Sequence, residues 1–219
     1  MISAGKTIFL SILFICGCIV LANAQRRTDY NLVKMLHQNK LDTTRGDQQI
    51  KTFFNPKNNA ISVKGILWLK GVDFKEGTID VDLRGRNTFL QSFMGIAFHA
   101  KDTTTYEVVY FCPFRFRDTN AVAKKWSVKY MSLPGNDYVK LRKEQPGVYE
   151  NSIDPAPRSY DWIHATIVVK DDWITIFVNH SATPTLKVKK LDNATSGKIG
   201  LWSWGQGLDS DFENLSISE

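Results

Sequence analysis

WIHATIVVKDDWITIFVN, residues 162–179, has the pattern of a β-hairpin. Two runs rich in β-branched and aromatic residues flank Asp171 and Asp172. Aspartate suits such a turn because it tolerates left-handed backbone and bonds its own chain. Alternation assigns the faces. Ile163, Ala165, Ile167 and Val169 share one side of the first strand, and Ile174, Ile176 and Val178 share one side of the second. Successive strand side chains point opposite ways, so these residues form one apolar surface that must pack between two sheets. The other side carries Trp162, His164 and Thr166, then Trp173, Thr175, Phe177 and Asn179. Aromatic rings mixed with hydrogen-bonding groups are what a shallow sugar groove needs.

Working outward, short runs of the same character recur from about Ala60 to the end of the chain: AISVKGILWLKG, GTIDVDLRG, FMGIAFHA, TYEVVYFC, WSVKYMS, TLKVKKL, KIGLWSW and FENLSIS. Turn residues separate them, and helical periodicity is nearly absent. This spacing predicts an all-β, two-sheet antiparallel jelly-roll sandwich over residues 59–219. Residues 25–58 are polar and read as an irregular segment, with one short helix within DYNLVKMLHQNKL. EQPGVYENSIDPAPRSYD is the longest proline-rich loop, long enough to cover one end of a groove. Near the end, KIGLWSWGQGLDSDFENLSI (198–217) sets Trp202 and Trp204 on one strand face. These are either closing strands of the sandwich or a stacking platform for a ligand, and Trp202 is carried as a candidate binding residue.

Residues 1–24 have a lone basic residue, Lys6, an apolar run from Thr7 to Leu21, and Ala22 and Ala24 in the small-residue positions of a cleavage site. That pattern predicts a secretory signal peptide and an exported protein, periplasmic or extracellular. Cys18, after a small residue, offers lipoprotein anchoring as the alternative. Removing 24 of 219 residues leaves 195, and losing Lys6 takes the net charge from +6 to +5. That length suits one domain, and no transmembrane segment is expected in the mature chain. The basic residues are scattered among acids, which argues against a nucleic-acid partner. Cys112 is then the mature chain's one cysteine, so no internal disulfide forms. Its apolar strand suggests an inert buried thiol. No histidine or acid spacing resembles a zinc site.

FKEGTIDVDLRG (74–85), GIAFHAKDTTTYEVVYFCPF (95–114), the hairpin, and GKIGLWSWGQGLDSDFENLSI (197–217) together resemble the concanavalin A-like lectin/glucanase superfamily. Within it the chain is most similar to the bacterial 3-keto-disaccharide hydrolase type of domain. The resemblance implies stacked antiparallel sheets with a carbohydrate or glycoside ligand on the concave face. It implies either a glycoside-acting hydrolase, with a 3-keto sugar as one substrate, or a non-catalytic carbohydrate-binding module or lectin-like surface protein. Fold alone does not choose between these. A glucanase strand carries alternating acids. Here Asp80 and Asp82 are followed by Arg84 and Arg86, which argues against an ordinary glucanase and for acids paired with neighbouring bases. Tyr106 and Glu107 match the Tyr-Glu of the hydrolase type, whereas Val109 stands where that type has glutamine.

Glu107 is accordingly the candidate catalytic acid or base, the alternative being an ion pair with Arg115 or Arg117. Arg115 and Arg117, on one face of FCPFRFRD, are candidate binding residues through their fixed donors. His99 and Tyr130 are candidate walls, with His99 expected on the side of Gly95 and Ala97. Glu107 alternates with Tyr106 and Tyr110, so only one set can line the groove. Glu107 is the set expected there, because burying a carboxylate without a partner is expensive. His164 is read as a structural strand histidine. A structural calcium near Asp209 or Asp211 is implied through oxygen ligands, and no other cofactor is expected.

Overall fold

The computed structural model describes residues 26–43, 50–52, 60–205 and 210–219. The expected signal peptide and Asp209 lie outside the described residues. In chain order the strands are β1 (Arg27–Tyr30), β2 (Leu41–Thr43), β3 (Ile50–Thr52), β4 (Ile61–Val63), β5 (Gly65–Phe74), β6 (Gly77–Arg84), β7 (Phe93–Ala100), β8 (Tyr106–Phe111), β9 (Val128–Leu133), β10 (Glu150–Asn151), β11 (Ile163–Lys170), β12 (Trp173–Val178), β13 (Leu186–Lys189), β14 (Gly197–Trp204) and β15 (Ser210–Ser218). Among the described residues three short α-helices, α1 (Leu32–His37), α2 (Ala121–Lys124) and α3 (Tyr138–Glu144), sit in the connections.

Two antiparallel sheets result. One runs β13-β12-β11-β6-β15-β4-β3, with β1 also on β15; the other runs β10-β9-β8-β7-β14-β5-β2. The chain changes sheet between β4 and β5 across a single residue, Lys64. Gly65 takes a φ of 89° there, a conformation that side-chain-bearing residues rarely adopt.

The hairpin of β11 and β12 pairs Ile167 with Ile176 and turns at Asp171, whose φ is 52°. Its predicted apolar face is buried between the sheets, and Ile79, Val81 and Leu83 of β6 join it. Strand β8 differs, because all six of its residues are buried. Both of its faces are covered, so it reads in sequence as a continuous run without a polar side.

Two local expectations change, and two others gain detail. The segment read as irregular carries β1, β2 and β3, which pair with β15, β5 and β4. Its helix is α1, capped where the Asn31 side chain accepts from the Lys34 amide at 2.7 Å. FCPFRFRD does not continue as a strand: Pro113 has no N–H for the ladder, and Pro113–Arg115 turns as a 3₁₀ helix. The two final strands part company, with β14 between β7 and β5 in one sheet and β15 between β6 and β4 in the other.

Candidate functional site

The outer face of the seven-stranded sheet carries a groove floored by β14, β7, β8 and β9. Trp202, Gly95 and Tyr110 lie in register across three strands. Gly95 is required for this floor, since a Cβ there would meet the Tyr110 Cβ at 2.8 Å. Its absence lets the Tyr110 and Trp202 rings approach to 5.3 Å. Trp202 is buried, and its indole N–H donates to the Tyr106 hydroxyl at 3.2 Å. Trp204 lies nearly parallel to it, 6.1 Å away and 13° from coplanar, yet is 55% exposed. An exposed indole braced by a buried one offers a rigid flat surface to a ligand. Met131 and Leu133 complete this apolar end, whose cavity volume is about 210 Å³.

Phe93, Tyr110, Tyr138 and Trp204 also line a second, larger basin of about 500 Å³. Here the groove turns cationic. Arg142 stacks on Trp126 at 3.8 Å, and Arg115 lies 5.1 Å from the same ring. Lys129, on β9 opposite Tyr110, places its ammonium 5.6–5.7 Å from the rings of Tyr110, Trp126 and Tyr138. It is only 7% exposed. Burial lowers its pKa, and the neighbouring Arg142 and Arg115 push the same way against Cys112 and Glu150. The acids bordering the groove are already engaged. Asp118 accepts from Arg115, Glu150 accepts from Arg142 at 3.1 Å, and Asp137 caps α3 by accepting from the Lys140 amide.

The opposite side of the same strands corrects the expected catalytic face. Glu107 is 1% exposed and points between the sheets. There it bonds His99 Nδ1 at 2.8 Å and accepts from the Tyr130 hydroxyl, which in turn accepts from the Leu191 amide at 3.1 Å. The three side chains do come together as expected, but in the inner layer rather than on the groove. Partners make the difference: a carboxylate with two of them is tolerated where a bare one is not. His99 is not on the side of Gly95 and Ala97. A bulge in β7, where Phe98 and His99 together face Ile199 of β14, accompanies a φ of 49° at His99 and turns its ring inward. Its Nε2 bonds the Lys75 carbonyl at 2.6 Å.

Of the remaining candidates, Trp202 lies in the groove floor and Arg115 lines the cationic basin. Arg117 diverges from Arg115 and donates to the Ala156 carbonyl at 3.2 Å. Sequence reasoning missed Lys129, Trp126 and Arg142. WSVK, residues 126–129, held a signal only in hindsight, because the turn before β9 brings ring and ammonium to one side. Cys112 is buried, and burial pushes its thiol up to about 11, which keeps it protonated and inert.

The hairpin's outer face, expected to resemble a sugar groove, instead belongs to the eight-stranded sheet and holds a self-contained ionic cluster. His164 Nδ1 donates to Asp82 at 2.7 Å, and Nε2 lies 3.4 Å from Asp80. Thr166 donates to Asp80 and Asn214 to Asp82. The bonds that His164 donates to Asp80 and Asp82 outweigh burial and raise its pKa to about 9. Asp211, considered for calcium, is fully buried and taken by Ser62, Arg84 and Arg86, so it does not fit as a metal ligand. Among the described residues no group of His, Cys, Asp and Glu is arranged to hold a metal. No helix among them is long and apolar enough to cross a membrane.

The architecture resembles that of the carbohydrate-binding module CBM66 from Bacillus subtilis, with a TM-score of 0.54 and 14% identity over 82% of this chain and 96% of that one. It also resembles the VIP36 exoplasmic/lumenal domain solved with Ca2+ and Man3GlcNAc, with a TM-score of 0.52 and 9% identity over 86% of each chain. The fold is a concanavalin A-like sandwich. At these identities the likeness shows the fold alone. No protein-family model matches the chain, and no curated protein matches it in sequence.

Proposed function

We propose that this protein binds a carbohydrate chain along the outer face of its seven-stranded sheet, as a non-catalytic module. One observation carries the reading: an exposed Trp204 stacked on a buried Trp202, beside Tyr106 and Tyr110, in an open groove. Flat aromatic surface with a few polar groups at its edges is the chemistry that holds sugar rings. Carbohydrate-binding neighbours of the same fold support it by analogy. The leader-like residues 1–24 support an exported site of action.

The narrower reading, a glycoside hydrolase of the 3-keto-disaccharide type with Glu107 as acid or base, is supported by the Tyr106–Glu107 pair. The inward position of Glu107 favours binding over that chemistry. A general acid must come within hydrogen-bond reach of the reacting oxygen. Titration of a glycan panel, with sugar release followed on the same samples, tests the reading. Binding that falls at least tenfold in Trp204→Ala, without release of product, is the expected result. A folded protein that binds no member of the panel, or that turns a glycoside over, would overturn it.

A further inference from the structure

We propose that the groove is built for an anionic carbohydrate, with a carboxylate or sulfate of the chain docked at Lys129 between Tyr110, Trp126 and Tyr138. This rests on the carbohydrate reading above and names the class of sugar.

Charge bookkeeping at the cationic end leads to it. Three cations converge on Trp126. Two are answered within the protein: Arg115 by Asp118, and Arg142 by Glu150. Lys129 is not. Glu150 lies directly across the ladder from it on β10, yet gives its carboxylate to Arg142. Among the described residues the Lys129 ammonium faces three rings and makes no hydrogen bond or ion pair. The Lys129 side chain is nearly buried while its ammonium reaches the basin, so its N–H donors are open to a ligand and its charge has no ion-pair partner among the described residues. Arg142 adds a second orphan, because its Nε is buried without a partner. Both groups border the basin that continues into the tryptophan floor.

An anion entering here meets a fixed positive charge in a partly dehydrated recess, where a charge-assisted bond is stronger than in water. The rings that hold the ammonium also keep it from collapsing onto an internal acid. The two tryptophans then lie along the chain from the charged subsite, where they can stack the next sugar ring. A neutral glycan would use that floor but leave Lys129 unanswered.

Two matched pairs of probes test this: oligogalacturonate against its methyl ester, and a κ-carrageenan oligosaccharide against its desulfated form. Within each pair the backbone is constant, and the pair that responds tells a carboxylate from a sulfate ligand. At least one anionic member is expected to bind about tenfold or more tightly than its neutral partner, with affinity falling as salt is added. Lys129→Met should collapse that ratio toward one, and Lys129→Arg should retain it. Melting temperatures report that both variants fold. If Lys129→Met keeps the full anionic preference, or neutral partners bind as tightly, the inference falls. The carbohydrate reading still stands in that case, provided Trp204→Ala loses the binding. If no probe binds while the folded protein binds another glycan of the panel, the inference alone falls; if it binds no glycan at all, both fall.

Discussion

The two faces of the seven-stranded sheet use similar side chains to opposite ends. On the inner face, Glu107 is buried with its carboxylate bonded to His99 and Tyr130, and Tyr130 is bonded onward to the backbone of Leu191. On the outer face, Lys129 is nearly as buried, but rings surround it and no carboxylate answers it. Burial is therefore a poor guide to role in this protein, and satisfaction is a good one. Where donors and acceptors close on each other the cluster holds the sheets together. Where they do not, as at Lys129, the proposed reading directs them at a ligand.

The inner face offers the largest effect by which to break this contrast. Glu107→Ala strands the His99 ring nitrogen and the Tyr130 hydroxyl, each at roughly 1–3 kcal/mol, and leaves a cavity. A loss of about 3–5 kcal/mol in chemical denaturation is expected from these terms together. Glycan affinity should persist under conditions where the variant is folded. A loss below about 1 kcal/mol would show that the inner cluster is not structural.

Trp204→Ala should do the reverse. Its ring is mostly exposed, so stability should change by no more than about 0.5 kcal/mol. Glycan binding should fall at least about tenfold, near 1.4 kcal/mol. Unchanged binding in calorimetry would remove the outer face from ligand recognition.

A subtler test uses the outward-facing but internally satisfied cluster on the other sheet. His164 is held near 9 by its bonds to Asp80 and Asp82, above its ordinary value of 6.5. A raised folded-state value stabilises fully below about pH 6.5, and the contribution disappears as pH rises through about 9. Asp80 is lowered, chiefly by its bond from His164. Asp82 is lowered because bonds from His164 and Asn214 overcome its burial. Their contributions are present above the usual aspartate range near 4 and fade as pH falls below it. His164→Gln should flatten the alkaline limb of melting temperature against pH, with glycan binding unchanged. If binding shifted with this limb, the contrast between satisfied and unsatisfied clusters would fail.

Much of the architecture was legible in the chain. Where one side of a strand meets the core and the other meets water, as along Ile163–Lys170 and Gly77–Arg84, alternation reveals the buried face. The Asp171–Asp172 turn and the two-sheet class follow from that periodicity and from turn chemistry. In β8 the alternation vanishes, because the aromatic side chains of the groove floor cover the side that would otherwise be polar. Sequence then offers Tyr106 and Glu107 as equal claimants to the groove. The cost of burying a lone carboxylate favours Glu107, and the structure reverses that by supplying partners from β7 and β9.

His99 shows the same limit, because a one-residue bulge turns its ring to the other side, and a bulge leaves no mark on composition. The chain by itself determined the sandwich, its core faces, the inert Cys112 and the Trp202–Trp204 pairing, all of which rest on local period and local chemistry. Tertiary structure alone decided which face of β8 lies under the groove, that β14 lies within one sheet while β15 lies in the other, and that Trp126, Lys129 and Arg142 meet. Those outcomes depend on which residues distant in sequence become neighbours, and a buried polar group is stable or reactive only by virtue of those neighbours.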